Sequence, residues 1–195
     1  MNVGKGQQVD HGECFISVDV ETGGATPADY ALLSIGACLV DDPETTFYVE
    51  LQPEDKRVTV EAIEVSKLSV DVLRTMGEPP AEAMRHFADW VAEVVPAKDR
   101  PVFVGFNAAF DWMFVADYFE RYVGRNPFGY TALDIKAFAM GRLGGTWGET
   151  SMSVLGPKYL SGRPLAHHAL SDAQDQAALF RALRDEPAHR RKDQP

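Results

Sequence analysis

The sequence predicts a mixed α/β fold, a sheet of five strands covered by helices, and three observations predict it. Three short apolar runs separated by turn chemistry open the chain and read as an antiparallel meander. A continuous apolar run over residues 102–106 reads as a strand buried on both faces, the pattern of parallel pairing. Stretches with apolar residues at helical spacing fill the second half and supply the layers that cover the sheet. At 195 residues, with 45% apolar and 25% charged residues, the chain suits one sizeable domain with a full core.

Residues 1–13 are polar and read as a flexible leader without the apolar core of a signal peptide. The first strand, residues 15–21, places Ile16, Val18 and Val20 on one side and Ser17, Asp19 and Glu21 on the other. Turn chemistry follows from Thr22 to Pro27, with Gly23 and Gly24 allowing close backbone approach. Residues 31–40 and 47–51 read as the second and third strands around the acidic turn at Asp41 to Glu44. Pro80 suits the first position of a helix, in which Met84, Phe87, Ala88, Val91 and Val95 form an apolar stripe. After the strand at 102–106, a helix begins near Ala109 and carries Phe110, Phe114, Tyr118 and Tyr122. Residues 130–135 read as a short strand leading into a helix to about Leu143, and residues 144–148 as a flexible loop. Residues 170–183 read as the last helix, with Ser171 as its N-cap. A single domain is thus expected over residues 14–184, with a disordered charged tail over 185–195.

No apolar run is long enough to span a membrane, so no membrane partner is expected and a cytoplasmic protein follows. Cys14 and Cys38 fall in strands and read as buried reduced thiols. The net charge of −10 argues against tight electrostatic binding of long duplex nucleic acid. The charge is uneven, however: residues 121–163 carry six basic side chains against two acidic ones, so one region can meet phosphate while the rest repels it.

Asp19 and Glu21 place two like charges close together at a strand's end, a pattern that asks for a hard cation. Asp111 falls in the first turn of a helix, where a carboxylate also complements the helix dipole. Asp172 opens the last helix, and His167 precedes it by five residues in a loop, where an imidazole is free to move. Four carboxylates at strand or helix ends with one loop histidine are the inventory of a two-metal hydrolase. Four negative charges balance two divalent ions, which lets phosphate approach an acidic protein.

The stretches Asp19-Val20-Glu21-Thr22, Asn107-Ala108-Ala109-Phe110-Asp111 and His167-His168-Ala169-Leu170-Ser171-Asp172-Ala173 resemble the three motifs of the DEDDh 3′-5′ exonucleases. That family has an RNase H-like fold and includes ribonuclease T, oligoribonuclease and proofreading exonucleases. The resemblance implies Asp19, Glu21 and Asp172 as direct ligands of two Mg²⁺ or Mn²⁺ ions, Asp111 acting largely through water, and His167 as the general base that takes a proton from the attacking water. It further implies an aromatic stack of Phe110 on the terminal bases, with core packing as the competing role, and a backbone clamp on the 3′-hydroxyl at Thr22 and Gly23. Relatives often carry threonine where this chain has Gly23. Asp134 resembles a structural aspartate of the family, and Trp147 is open to two readings, a contact to a base or a surface clasp.

The expected activity is metal-dependent release of nucleoside 5′-monophosphates from the 3′ end of single-stranded DNA, RNA or short oligonucleotides. An RNA trimmer like ribonuclease T or oligoribonuclease is the narrower alternative, and a non-catalytic nucleic-acid or polymerase-binding module the alternative of another class. A homodimer or a polymerase partner is an analogy with relatives.

Overall fold

The computed structural model describes residues 12–161 and 167–187. Residues 1–11 of the expected leader, 188–195 of the expected tail, and Arg163 lie outside them.

Five strands form one sheet: β1 (Glu13–Thr22), β2 (Leu32–Leu39), β3 (Thr46–Glu50), β4 (Arg100–Gly105) and β5 (Ala132–Asp134), in the order β3-β2-β1-β4-β5. β2 runs antiparallel to both β1 and β3, and β4 runs parallel to both β1 and β5, so the predicted meander and the predicted parallel strands share one mixed sheet. β5 is shorter than the predicted strand, pairing only three residues with Phe103, Val104 and Gly105. Asp134 then caps the next helix, so the chain leaves the sheet before Ile135.

Seven α-helices are present among the described residues: α1 (Val60–Ser66), α2 (Val70–Met76), α3 (Pro80–Val94), α4 (Ala109–Tyr122), α5 (Ile135–Leu143), α6 (Met152–Tyr159) and α7 (Ala169–Asp185). Alternation along the strands feeds two cores. Ile16, Val18, Val20, Ile35 and Phe103 pack on one face against Met84, Phe87 and Val91 of α3 and Phe114 and Phe119 of α4. On the other face Cys38 and Val104 pack against Ile135 and Ala139 of α5, Leu155 of α6, and Ala177, Phe180 and Leu183 of α7. A satellite cluster of Ala31, Leu33 and Leu73 seats α1 and α2 at the end of the sheet.

Three expectations need correction. Ser171 does not cap the last helix: α7 starts at Ala169 with His168 at the N-cap, and no side chain caps it. Its start is fixed instead by backbone contact with the sheet, since a Cβ on Gly36 of β2 would lie 2.1 Å from Leu170 N and 2.2 Å from the carbonyl carbon of Ala169. Residues 144–148 are not all loop. Gly144 ends α5 in the left-handed conformation, and a 3₁₀ turn, Trp147–Thr150, is closed by Glu149, which accepts from Thr146 N and Oγ1 at 2.8 Å each. At the two ends of the domain, Glu13 pairs with Arg100 inside the sheet rather than belonging to a leader, and Asp185 still lies in α7 rather than in a tail.

Candidate active site

β1 carries its polar side, Asp19 and Glu21, to the end of the strand on the face covered by α7. The register sets Gly36 directly opposite Asp19. Because Gly36 has no side chain, the first turn of α7 lies flat on β2 at that point. Asp172, in this first turn, is thereby brought to the two strand carboxylates. Asp19, Glu21 and Asp172 each offer an oxygen within 4.8 Å of the others. The β1–β2 register shifts between Glu21 and Thr22, a bulge that ends regular pairing at the site.

Asp111 approaches from the opposite face. It is buried in the first turn of α4, and its Oδ1 accepts from Val20 N at 3.1 Å. It stands outside the three carboxylates that share the 4.8 Å spacing. Its charge is nonetheless felt by Asp19, whose carboxyl is held well above the usual range by burial first, then by Asp111, Asp172 and Glu21. Burial, followed by the charge of Asp172, pushes Glu21 up to about 7, and burial pushes Asp111 up to about 7. Such crowded carboxylates, Asp111 and Asp172 buried and Asp19 and Glu21 half-buried, are all hard oxygen donors and fit a divalent cation that compensates their repulsion.

His167 is exposed and has a left-handed φ of 51° immediately before the N-cap of α7. His168 stacks instead on Tyr48 of β3, with ring centroids 4.7 Å apart. Both imidazoles are exposed, and they differ in that His168 has a ring partner on the sheet.

Phe110 is half-buried. It packs on Phe114 and also lines an open cleft of about 370 Å³ together with Glu21, Thr22, Gly24, Thr59 and Val65. Thr22 turns its hydroxyl inward to donate to Gly24 O at 2.9 Å. Gly23 donates its N–H to Ala31 O at 2.7 Å and accepts from Thr59 N at 2.8 Å. A Cβ at Gly23 would lie 2.5 Å from Arg57 O, so the segment entering α1 crosses directly over it and leaves no room for threonine.

Two residues of this constellation escaped the sequence reading. Gln176, one turn after Asp172, donates from Nε2 to Asp19 Oδ1 at 2.6 Å and accepts at Oε1 from Phe106 N at 2.9 Å. Its spacing of four from Asp172 on one helix face was the available signal. Gly36 was the other, since a glycine inside an apolar strand marks close approach of a second backbone. Asp134 plays the expected structural part: Oδ1 accepts from Ala137 N and Oδ2 from Ala108 N, both at 2.7 Å, tying the start of α5 to the turn that presents Asp111.

Comparison with known proteins follows the same line. The fold is shared with the nuclease domain of 3′hExo, a DEDDh family member bound to rAMP, at a TM-score of 0.68 and 14% identity, over 89% of this chain and 92% of that one. It is also shared with Pop2p of S. pombe in a form bound to Mg²⁺ and Mn²⁺, at a TM-score of 0.64 and 16% identity, over 87% of this chain and 82% of that one. The architecture is thus the RNase H-like one of the DEDDh 3′-5′ exonucleases. The model of the 3′-5′ exoribonuclease Rv2179c-like domain matches residues 14–184. Over 171 residues the chain is 43% identical to the 3′-5′ DNA exonuclease Cap18 of Escherichia coli, covering 88% of this chain and 91% of that protein. The chain belongs to the Rv2179c-like family, and with it to the 3′-5′ exonucleases. Among the described residues no helix is long and apolar enough to cross a membrane.

Proposed function

We propose that this exonuclease shortens single-stranded nucleic acid from its 3′ end, releasing nucleoside 5′-monophosphates, with DNA as its preferred strand. The observation that supports it most is the group of three carboxylates, Asp19, Glu21 and Asp172, with oxygens within 4.8 Å of one another, in a chain of a 3′-5′ exonuclease family. DNA comes first because the 43% identical relative, matched over nearly its whole length, is a DNA exonuclease. RNA is the second reading, which the family's description as exoribonuclease favours.

Asp19, Glu21 and Asp172 would hold two Mg²⁺ or Mn²⁺ ions, with Asp111 contributing through water. When bound, such ions activate water and stabilise the charge on the leaving 3′ oxygen. Gln176 keeps Asp19 oriented toward the cluster. His167, exposed at the entrance of α7, takes the proton of the attacking water. The water oxygen bonds to phosphorus, the bond from phosphorus to the 3′ oxygen of the preceding nucleotide breaks, and that oxygen regains a proton from solvent. Phe110 and the cleft beside Glu21 and Thr22 receive the terminal nucleotide.

Parallel time courses on 5′-labelled single-stranded DNA and RNA of one sequence test this reading. Stepwise shortening that is faster on DNA is expected; faster shortening of RNA would move the assignment to the second reading, because a 2′-hydroxyl contact would then be favouring the ribose.

A further inference from the structure

The terminal-nucleotide cleft opens on the α4 side of the end of β1, and on the α7 side the same end is flanked by an aromatic and cationic surface that the reaction so far leaves unused. Phe106 follows β4. Continuing the parallel register of Ser17 with Val104 by two residues sets Phe106 beside Asp19 on that face. Gln176 joins the two, accepting from Phe106 N and donating to Asp19. Lys136, in the first turn of α5, holds its Nζ 4.4 Å from the centre of the Trp147 ring and 5.8 Å from that of Phe106. Trp147 is 51% exposed.

Charge is available at the same spot: of the described basic side chains between residues 121 and 163, Lys136 and Arg125 have no ion pair or hydrogen bond with a described residue, and Arg125 lines a separate pocket with Val95, Pro96 and Pro127. Arg121 pairs with Asp117, Lys158 with Glu186, and Arg142 donates to the carbonyls of Arg184 and Glu186. Lys136 makes no salt bridge among the described residues; its contacts are the two aromatic rings. An ammonium over an indole keeps its charge for an anion that approaches from the side. An exposed ring beside a cation matches the two constant features of a single strand, a base face and a phosphate.

We propose that Trp147, Lys136 and Phe106 form a docking platform for an internal nucleotide of the strand being shortened. A base stacks on the Trp147 indole, the Lys136 ammonium meets the adjoining phosphate, and Phe106 forms the wall toward Asp19. The terminal nucleotide occupies the Phe110 cleft on the opposite face, so the scissile phosphodiester lies over the carboxylates between the two. The platform rests on the exonuclease reading and adds to it a second, sequence-tolerant contact with single-stranded polynucleotide.

The test is kcat/KM for strands from a dinucleotide to about eight nucleotides, a length within the site sizes of single-strand binders, for wild type, Trp147→Ala, Trp147→Phe and Lys136→Gln. Stacking of one base predicts a loss of about tenfold or more for Trp147→Ala on the longest strand, mainly in KM, shrinking as the strand is shortened. Trp147→Phe recovers most of it, and Lys136→Gln lowers the salt slope of binding by about 1. Equal losses at every length, or none, would overturn the platform while leaving the exonuclease intact. A wild-type protein that shortens no strand overturns the exonuclease reading instead. In that case, unchanged anisotropy of a labelled strand on Trp147→Ala in chelator would overturn the platform as well.

Discussion

Gln176 Nε2 donates to Asp19 Oδ1 at 2.6 Å, so a single helix supplies both Asp172 and the group that orients the strand carboxylate facing it. Replacing Gln176 by leucine keeps the volume but leaves Asp19 without this donor and Phe106 N without its acceptor. A buried amide left unpaired costs about 1–3 kcal/mol, and loss of a partner that orients a ligand raises the metal requirement by roughly 10–100-fold. Thermal melting and the Mn²⁺ dependence of turnover check the two effects separately. An unchanged half-saturating Mn²⁺ concentration contradicts the orienting role.

The raised carboxyls set a pH dependence with a definite sign. Glu21 and Asp111, each pushed up to about 7 from ordinary values of 4.5 and 3.8, keep protons in the folded chain that the unfolded chain has released. Folding takes up protons in that interval, so the metal-free protein loses stability as pH rises from roughly 4 to 7. A divalent ion needs the carboxylates ionised, and its stabilisation therefore grows over the same interval. Melting curves in chelator and in Mn²⁺ should diverge as pH rises, and Glu21→Gln should reduce the divergence. A constant gap across pH counts against the cluster as the metal site.

Gly36→Ala tests how α7 is positioned. The added methyl would sit 2.1 Å from Leu170 N, against backbone that has no side-chain freedom to yield. The expected destabilisation is at least the ~1–3 kcal/mol of an overpacked core, with loss of activity because Asp172 shifts with the helix. Gly141→Ala is the matched control: nothing lies within 4 Å of its Cβ, and in the interior of α5 alanine should stabilise by roughly 0.5–1 kcal/mol. Chemical denaturation of both variants reads the contrast, and an active Gly36→Ala protein with wild-type stability fits neither expectation.

The adjacent imidazoles should separate cleanly. His167→Ala is expected to lower the rate by roughly 10²–10⁴-fold, the usual worth of a positioned base. His168→Ala removes a ring stacked on Tyr48, with an expected loss of about 0.5–1.5 kcal/mol in stability. Single-turnover rates at saturating Mn²⁺ decide between them; the larger kinetic loss at His168 would reverse the assignment.

Legibility in the sequence followed length and periodicity. The strands around Val18, Ile35 and Val104, and the α3 stripe of Met84, Phe87 and Val91, each show enough repeats to declare their period. α1 and α2, seven residues each, are too short for that, although Thr59 and Ser69 cap them by accepting from Ala62 N and Val72 N. α6 is concealed by Gly156 and by Pro157 inside it. Asp19, Glu21, Asp111 and Asp172 stood out because charge at the ends of apolar elements is conspicuous. Gly36 and Gln176 did not, because what they do depends on which backbone lands on them: a glycine in β2 is unremarkable until α7 docks there, and a glutamine in α7 is neutral until β1 presents Asp19.

The most direct measurement is a gel time course of a 5′-labelled single-stranded oligonucleotide with wild type and Asp19→Asn, in Mg²⁺, in Mn²⁺ and in chelator. The account predicts a descending ladder for wild type only with metal, and a full-length strand under every condition for Asp19→Asn, whose metal-free melting temperature stays at or above that of wild type because a buried like charge has been removed. A ladder that persists in chelator, or an Asp19→Asn protein that trims at the wild-type rate, would contradict it.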